Sequence, residues 1–299
     1  MKKLPLVFSG CLLGLAGAGN LILDTLPVLS YLFSLTGLVL WIYFLILHLF
    51  NWKETKQELT KPPLLSGMAT FPMAGMILST YVFRVFSYLP LVAQGIWWFS
   101  FLLDLALIAG FTIKFACPGR RGHATPSWTV LYVGIAVAAL TYPLVGIIEI
   151  AYATLSFGFL LTFYLYPLIY SDLKKHPLPL ALLGQEGIYC APFSLLLASL
   201  VRVGGTSLST WVLIVMILAS QSFFFFVLTR LPNILKQGFQ PAFSALTFPT
   251  IITATSLKMA QGILKLPFLD YLVLAETIIC LTILFFVLGA YLIWLRKKV

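Results

Sequence analysis

The chain has 299 residues, of which 61% are hydrophobic and only 9% are charged. Soluble domains carry about 25% charged residues, and a soluble core of this length could not hide so much apolar surface. The composition therefore excludes a soluble globular protein and indicates that lipid surrounds most of the chain. The net charge of +10 suits contact with anionic lipid headgroups, and we predict no nucleic-acid partner.

Apolar runs long enough to cross a bilayer alternate with short polar clusters along the whole chain. We therefore predict a single transmembrane domain over residues 1–299, an all-α integral membrane protein whose ten helices pair into five hairpins. The predicted spans are residues 4–22, 27–50, 62–84, 89–114, 126–147, 149–171, 178–202, 207–231, 239–258 and 267–295.

The distribution of Lys and Arg between the loops predicts the orientation, because basic residues in short loops resist translocation. With the N-terminus in the cytoplasm, fifteen basic residues fall on the cytoplasmic side and four on the other. We predict a multi-pass protein of the cell membrane with both termini cytoplasmic. Lys2, Lys3 and the small residues Ala16-Gly17-Ala18 also resemble a cleavable signal peptide. The small-residue pattern that the first span shares with other odd-numbered spans favours its retention.

No motif predicts a metal, a cofactor or a catalytic centre. The four cysteines include no Cys-x-x-Cys pair, and the three histidines lie near three different span ends. The chain contains no His-Glu-x-x-His and no Gly-x-Ser-x-Gly motif. We therefore expect neither an enzyme nor a bound cofactor.

The tripeptide Thr-Phe-Pro occurs twice, at residues 70–72 and 247–249, each time inside a predicted span. A proline inside a helix removes a backbone hydrogen bond, and lipid offers no water to replace the lost partner. The odd-numbered spans hold most of the small residues, whereas the even-numbered spans are richer in bulky ones. We predict an inner ring of five odd helices around a central pore and an outer ring of five even helices. The expected helix breaks are Gly14, Pro72, Gly134, Pro192 and Pro249.

The five-hairpin pattern and the motif Thr247-Phe248-Pro249 of the ninth span resemble the tellurite-resistance and dicarboxylate transporter family. This family includes the bacterial TehA proteins and the plant slow-type anion channels, and the resemblance covers nearly the whole chain. It implies a conduit for anions among the inner helices, a phenylalanine that plugs the pore, and assembly as a homotrimer. The plug would be Phe248, and Phe71 at the equivalent depth of the third span would form a second constriction.

Three basic residues stand at the outer ends of predicted inner spans: Arg84, Arg202 and Lys258. Positive charge around an external mouth would raise the local concentration of anions. The alternative is that these side chains favour helix C-termini and extend to the membrane interface.

The ninth span also carries hydroxyl side chains near Phe248, at Ser244, Thr247, Thr250 and Thr255. Hydroxyls that line a pore can replace part of an anion's hydration shell. The competing interpretation is that they hydrogen-bond to their own helix backbone, especially near a proline.

Acidic residues inside the predicted spans argue against a simple anion pore, because an ionised carboxylate in the bilayer is expensive. Glu186 lies on an inner span and is either a proton-coupling group or the partner of a basic residue such as Arg120 or Lys236. Asp104 and Glu276 lie on outer spans, where we expect hydrogen bonds between helices.

The sequence thus predicts a channel or channel-like transporter that passes small inorganic or organic anions through a pore occluded by a phenylalanine. The alternative is a proton-coupled carrier for C4-dicarboxylates or related organic acids, or a tellurite-linked carrier, with Glu186 as the coupling group. The expected partners are the anions, membrane lipids and, from the resemblance, two further copies of the chain.

Overall fold

The computed structural model describes residues 4–117 and 122–297. Within these ranges the chain is helical and has no strand. The α-helices are α1 Ser9–Leu21, α2 Pro27–Phe50, α3 Trp52–Glu58, α4 Pro62–Gly67, α5 Thr70–Val85, α6 Pro90–Phe111, α7 Ser127–Gly134, α8 Val137–Thr141, α9 Ile148–Lys175, α10 Ala191–Gly204, α11 Thr210–Lys236, α12 Thr247–Leu264 and α13 Pro267–Lys297. Several basic residues used to predict orientation lie outside the described residues: Lys2, Lys3, Arg120, Arg121 and Lys298.

Two kinds of helical segment alternate along the chain. The helices α2, α6, α9, α11 and α13 are long, and α6 continues into a π-helical turn over Thr112–Ala116. The segments before and between them are broken. Three start as 3-10 helices that run into α1, α10 and α12, and the pairs α4–α5 and α7–α8 are each interrupted by two residues. The axes of Ser127–Gly134 and Val137–Leu144 differ by 45°.

The broken segments have prolines at the start of their second halves. Pro72, Pro192 and Pro249 lie in the first turns of α5, α10 and α12. A first-turn N–H has no partner inside the helix, so a proline there removes no hydrogen bond. Each of these prolines, predicted as helix breaks, therefore lies just after an interruption, in the first turn of the helix that follows it.

The two glycines predicted as breaks behave differently. Gly134 is the last residue of α7 and directly precedes the bend. Gly14 lies inside the continuous helix α1, so the prediction of a break there is wrong. Its function is close packing, because a Cβ atom at Gly14 would come within 2.8 Å of the Thr247 side chain. The absence of a side chain lets α1 approach α12.

The broken segments are more deeply buried than the long helices. In the most apolar window of Pro62–Val85, 78% of the residues are buried, compared with 28% in Pro90–Ala116. Helix α1 packs on α5 and α12, α5 packs on α8, and α10 packs on α8 and α12. These contacts close a cycle among the five broken segments. Each long helix packs on the broken segment beside it in the chain and exposes large apolar side chains.

Seven of the described helices are long and apolar enough to cross a membrane, and the bent pair Ser127–Gly134 with Val137–Leu144 makes an eighth if it is one span. The segment Leu6–Leu21 is apolar but shorter. The protein is therefore a multi-pass membrane protein, and length and composition alone account for fewer spans than the ten predicted.

Candidate functional site

Two cavities lie among the broken segments, and all five of these segments contribute residues to both. The break cavity is about 60 Å³ in volume and lies where the segments are interrupted; its lining includes Gly10, Thr70, Val133, Gln185, Ser244 and Phe248. The basic cavity is about 640 Å³; its lining includes Asn20, Asp24, Thr80, Arg84, Leu140, Arg202, Thr255 and Lys258.

Phe248 lines the break cavity from the first turn of α12 and is only 4% exposed. Seven residues further along the same helix, Thr255 lines the basic cavity, which is a rise of about 10 Å. Gly17 of α1 makes room for the ring, because a Cβ atom there would lie 3.2 Å from Phe248 Cδ2 and 3.1 Å from Ile251 Cγ2. The aromatic ring therefore occupies the interface between α1 and α12 at the wall of the smaller cavity.

Phe71 lies in a different environment, although it belongs to the same tripeptide as Phe248. Its ring stacks on Trp41 of α2, with centroids 4.8 Å apart, and packs on Phe44 at 5.4 Å. The Trp41 indole N–H also donates to the Phe71 carbonyl at 3.0 Å. Phe71 is thus part of the contact between α5 and the long helix α2, and its side chain lines neither cavity, contrary to the expected second constriction.

The hydroxyl groups near Phe248 donate to backbone carbonyls. Ser244 Oγ donates to Pro241 O at 3.1 Å, and Thr250 Oγ1 donates to Leu246 O at 2.9 Å. Thr247 Oγ1 donates within its own segment and also to Gly10 O of α1 at 2.9 Å, and Thr255 Oγ1 donates within α12. Of these four residues, Ser244 lines the break cavity and Thr255 the basic cavity, whereas Thr247 and Thr250 are completely buried. Ser244, Thr247 and Thr250 thus satisfy backbone carbonyls around the start of α12, next to Pro249, and Thr255 does so further along the helix.

The three predicted mouth residues share the basic cavity but differ in their contacts. Lys258 Nζ donates to Leu21 O at 2.8 Å and pairs with Asp24 Oδ2 at 3.2 Å. Arg84 Nη2 donates to Asn20 Oδ1 at 2.8 Å. Arg202 is exposed and has no hydrogen-bond or ion-pair partner among the described residues. The cavity therefore keeps a net positive charge, and Arg202 contributes the least compensated part of it.

Glu186 accepts two hydrogen bonds from Arg230 of α11, each 3.0 Å long. The sequence left open a proton-coupling role or a basic partner such as Arg120 or Lys236; the partner in the structure is Arg230, and Arg120 lies outside the described residues. The pair fixes the 3-10 segment before α10 to α11, and Glu186 lines neither cavity. A carboxylate held by both guanidinium branches is well suited to positioning a segment.

The acids on the long helices are buried. Glu276 of α13 is 1% exposed and lies near Gln221 of α11, but neither of its carboxyl oxygens has a hydrogen-bond partner among the described residues, so the expected interhelical hydrogen bond is not found. Asp104 of α6 is completely buried, and neither carboxyl oxygen has a hydrogen-bond partner among the described residues, so the expected interhelical hydrogen bond is not found there.

Sequence reasoning missed two polar residues at the cavities, Asn20 and Gln185. Asn20 holds Arg84 at the basic cavity, and Gln185 lines the break cavity with 5% of its surface exposed. Both residues could have been found from the sequence, because each is an uncharged amide within an apolar predicted inner span. The adjacent acid, Glu186, is the stronger signal in the sequence, because a charge is more expensive to bury than an amide.

Comparison with known proteins identifies one family. Residues 3–292 match the family described as the voltage-dependent anion channel. No curated protein matches the chain.

Proposed function

The chain belongs to the voltage-dependent anion channel family, and from this premise we propose that it carries small anions through a conduit that joins the break cavity to the basic cavity. Phe248 closes this conduit. One observation carries the proposal. In each of the five broken segments, the residues that line the break cavity come before those that line the basic cavity, and Phe248 lies at the wall of the break cavity.

We further propose that all five broken segments cross the membrane as the inner ring and that the five long helices form the outer ring, so that the chain has ten spans in one domain. The deep burial of the broken segments and their closed cycle of contacts support this arrangement. The proposed location is the cell membrane, with both termini cytoplasmic. The family resemblance supports a homotrimer in contact with lipid.

The chemistry of the two cavities suits a path for anions. Arg84, Arg202 and Lys258 attract anions to the wide cavity, where an ion keeps its water. The residues that line the break cavity carry no charge, so an anion that enters it finds no cation strong enough to hold it permanently. Conduction needs sites that an ion can leave as well as enter.

A proton-coupled dicarboxylate carrier is less well supported. Its proposed coupling group, Glu186, is bound to Arg230 and lies outside both cavities. The break cavity, at about 60 Å³, is far smaller than the basic cavity, at about 640 Å³, and this favours a small ion over a C4-dicarboxylate.

The test is reconstitution of the purified protein into liposomes and into planar bilayers. We expect current under voltage with chloride or nitrate on both sides and no pH difference, and no comparable current with a C4-dicarboxylate. Transport that appears only when a proton gradient is imposed would contradict the channel and support the carrier.

A further inference from the structure

The break cavity contains one polar side chain whose hydrogen bonds are not satisfied by the protein. Five polar side chains line this cavity: Thr70, Ser127, Thr129, Gln185 and Ser244. The hydroxyl protons of Thr70, Thr129 and Ser244 go to backbone carbonyls within 3.1 Å, and Ser127 is hydrogen-bonded to two neighbouring hydroxyls.

Gln185 differs from these four residues. Gln185 is only 5% exposed, and its Oε1 has no hydrogen-bond partner among the described residues. No described residue accepts a hydrogen bond from its NH2 group either. A buried amide without partners is costly, so the cavity offers this amide to a molecule that is not part of the chain.

The surroundings of the amide favour an anion as that molecule. The first turns of α1, α5, α10 and α12 all contribute to the lining, through Gly10, Thr70, Ala191 and Pro249. Helix N-termini carry partial positive charge, and residues from the first turns of these four helices line one small volume. No acidic side chain lines the cavity, which argues against a cation.

We propose that the Gln185 amide is the anion-binding group of the break cavity. Its N–H donates to a single small, partly dehydrated anion, while the surrounding hydroxyls keep their hydrogen bonds within the protein. This inference rests on the proposed function and deepens it, because it gives the conduit a specific binding residue where the sequence predicted a row of hydroxyls.

The test compares Gln185→Met with Gln221→Met in liposomes at equal amounts of inserted protein, with chloride flux measured against chloride concentration. Methionine keeps the approximate volume of glutamine and removes the donor. Gln221 is a matched control because it is a buried glutamine that lines neither cavity. We expect the half-saturating chloride concentration to rise about tenfold in Gln185→Met and to stay unchanged in Gln221→Met.

Two further variants keep the inference testable if Gln185→Met does not fold. Gln185→Glu places a carboxyl group in the cavity and should lower the flux at least tenfold at alkaline pH, where the carboxyl is ionised. Gln185→Asn keeps an amide and should shift half-saturation less than Met does. Unchanged half-saturation in Gln185→Met, an equal shift in Gln221→Met, or full flux in Gln185→Glu at alkaline pH would overturn the assignment. Absence of flux in the unaltered protein would instead contradict the proposed function itself.

Discussion

The two cavities lie along the same five segments and differ in charge as well as in size. The basic cavity, about 640 Å³, is lined by Arg84, Arg202 and Lys258, with Asp24 opposing them. The break cavity, about 60 Å³, has an uncharged lining. The wide cavity thus offers an ion far more space and fixed positive charge, and the narrow one offers neither.

This difference shows how a path can attract anions without trapping them. In the wide cavity, water partly screens the fixed positive charges, which still raise the local concentration of anions. The same charges in a narrow, water-poor volume would bind the ion far more strongly, because the Coulomb energy grows as the effective dielectric constant falls. Dipoles and an amide are weaker ligands, and they suit the place where an ion must also leave.

The largest effect is expected at Phe248, whose ring lines the break cavity. Phe248→Ala should raise anion conductance at least ~10-fold, which corresponds to lowering a barrier by about 1.4 kcal/mol. The measurement is current per correctly inserted protein in planar bilayers, since truncation of a buried phenylalanine also costs roughly 3–5 kcal/mol of stability.

Phe71→Ala is the matched control, because Phe71 occupies the same tripeptide and is equally buried but packs on Trp41. We expect it to lose stability without a gain in conductance. A well-folded Phe248→Ala protein whose conductance is unchanged or lower would rule out the gate.

The orientation of the two cavities can be determined with a thiol reagent. Cys117 is the accessible cysteine, since Cys11, Cys190 and Cys280 are fully buried. Helix α5 runs from the break cavity to the basic cavity, and α6 returns alongside it. Cys117 follows the end of this return and therefore lies on the side of the break cavity. We expect a membrane-impermeant maleimide to leave Cys117 unlabelled in intact cells and to label it after permeabilisation. Rapid labelling of intact cells would reverse the orientation and place the basic cavity on the cytoplasmic side.

A smaller effect is expected from removing one charge of the basic cavity. Arg202→Gln should lower flux roughly 3-fold at low ionic strength, because the least compensated charge contributes most to attraction. The loss should disappear near 1 M salt, where the Debye length is about 3 Å.

Lys265→Gln is the control for this variant, since it removes the same charge from an exposed position that lines neither cavity. An equal loss for both variants, or a loss of flux in Arg202→Gln that persists at high salt, would show that Arg202 supports the fold and does not attract ions.

The smallest effect on transport is expected at Glu186. Glu186→Gln should leave conductance and its pH dependence unchanged while lowering stability by about 1 kcal/mol, since the Arg230 side chain is 44% exposed. Flux at several pH values and thermal unfolding in detergent provide the two measurements. A variant that folds normally but loses a proton-driven component of transport would instead support the proton-coupled carrier.

Comparison of sequence and structure explains why helix breaks were only partly predictable. The prolines of the odd segments do mark the starts of α5, α10 and α12. However, Pro167 and Pro232 lie inside the continuous helices α9 and α11. A proline lowers the cost of a break, and the packing around it decides whether the helix is interrupted.

The partners of individual side chains were harder to predict. The sequence placed Glu186 near a basic residue and a row of hydroxyls beside Phe248, but it could not choose Arg230 or tell that the hydroxyls donate to the backbone. Residues that lie far apart in the chain compete for each such group, and only the packed helices determine which of them comes within 3 Å.

The sequence by itself determined that the protein is helical, lies in a membrane and alternates between small-residue segments and bulky ones, because composition and periodicity depend on the solvent that each segment meets. It also indicated the family, through a pattern that runs along nearly the whole chain. The tertiary structure alone decided that Phe248 faces a cavity while Phe71 packs on Trp41, and that Gln185 keeps an unsatisfied amide. Identical local sequences take different roles there because the direction of a side chain depends on which neighbouring helix fills the space beside it.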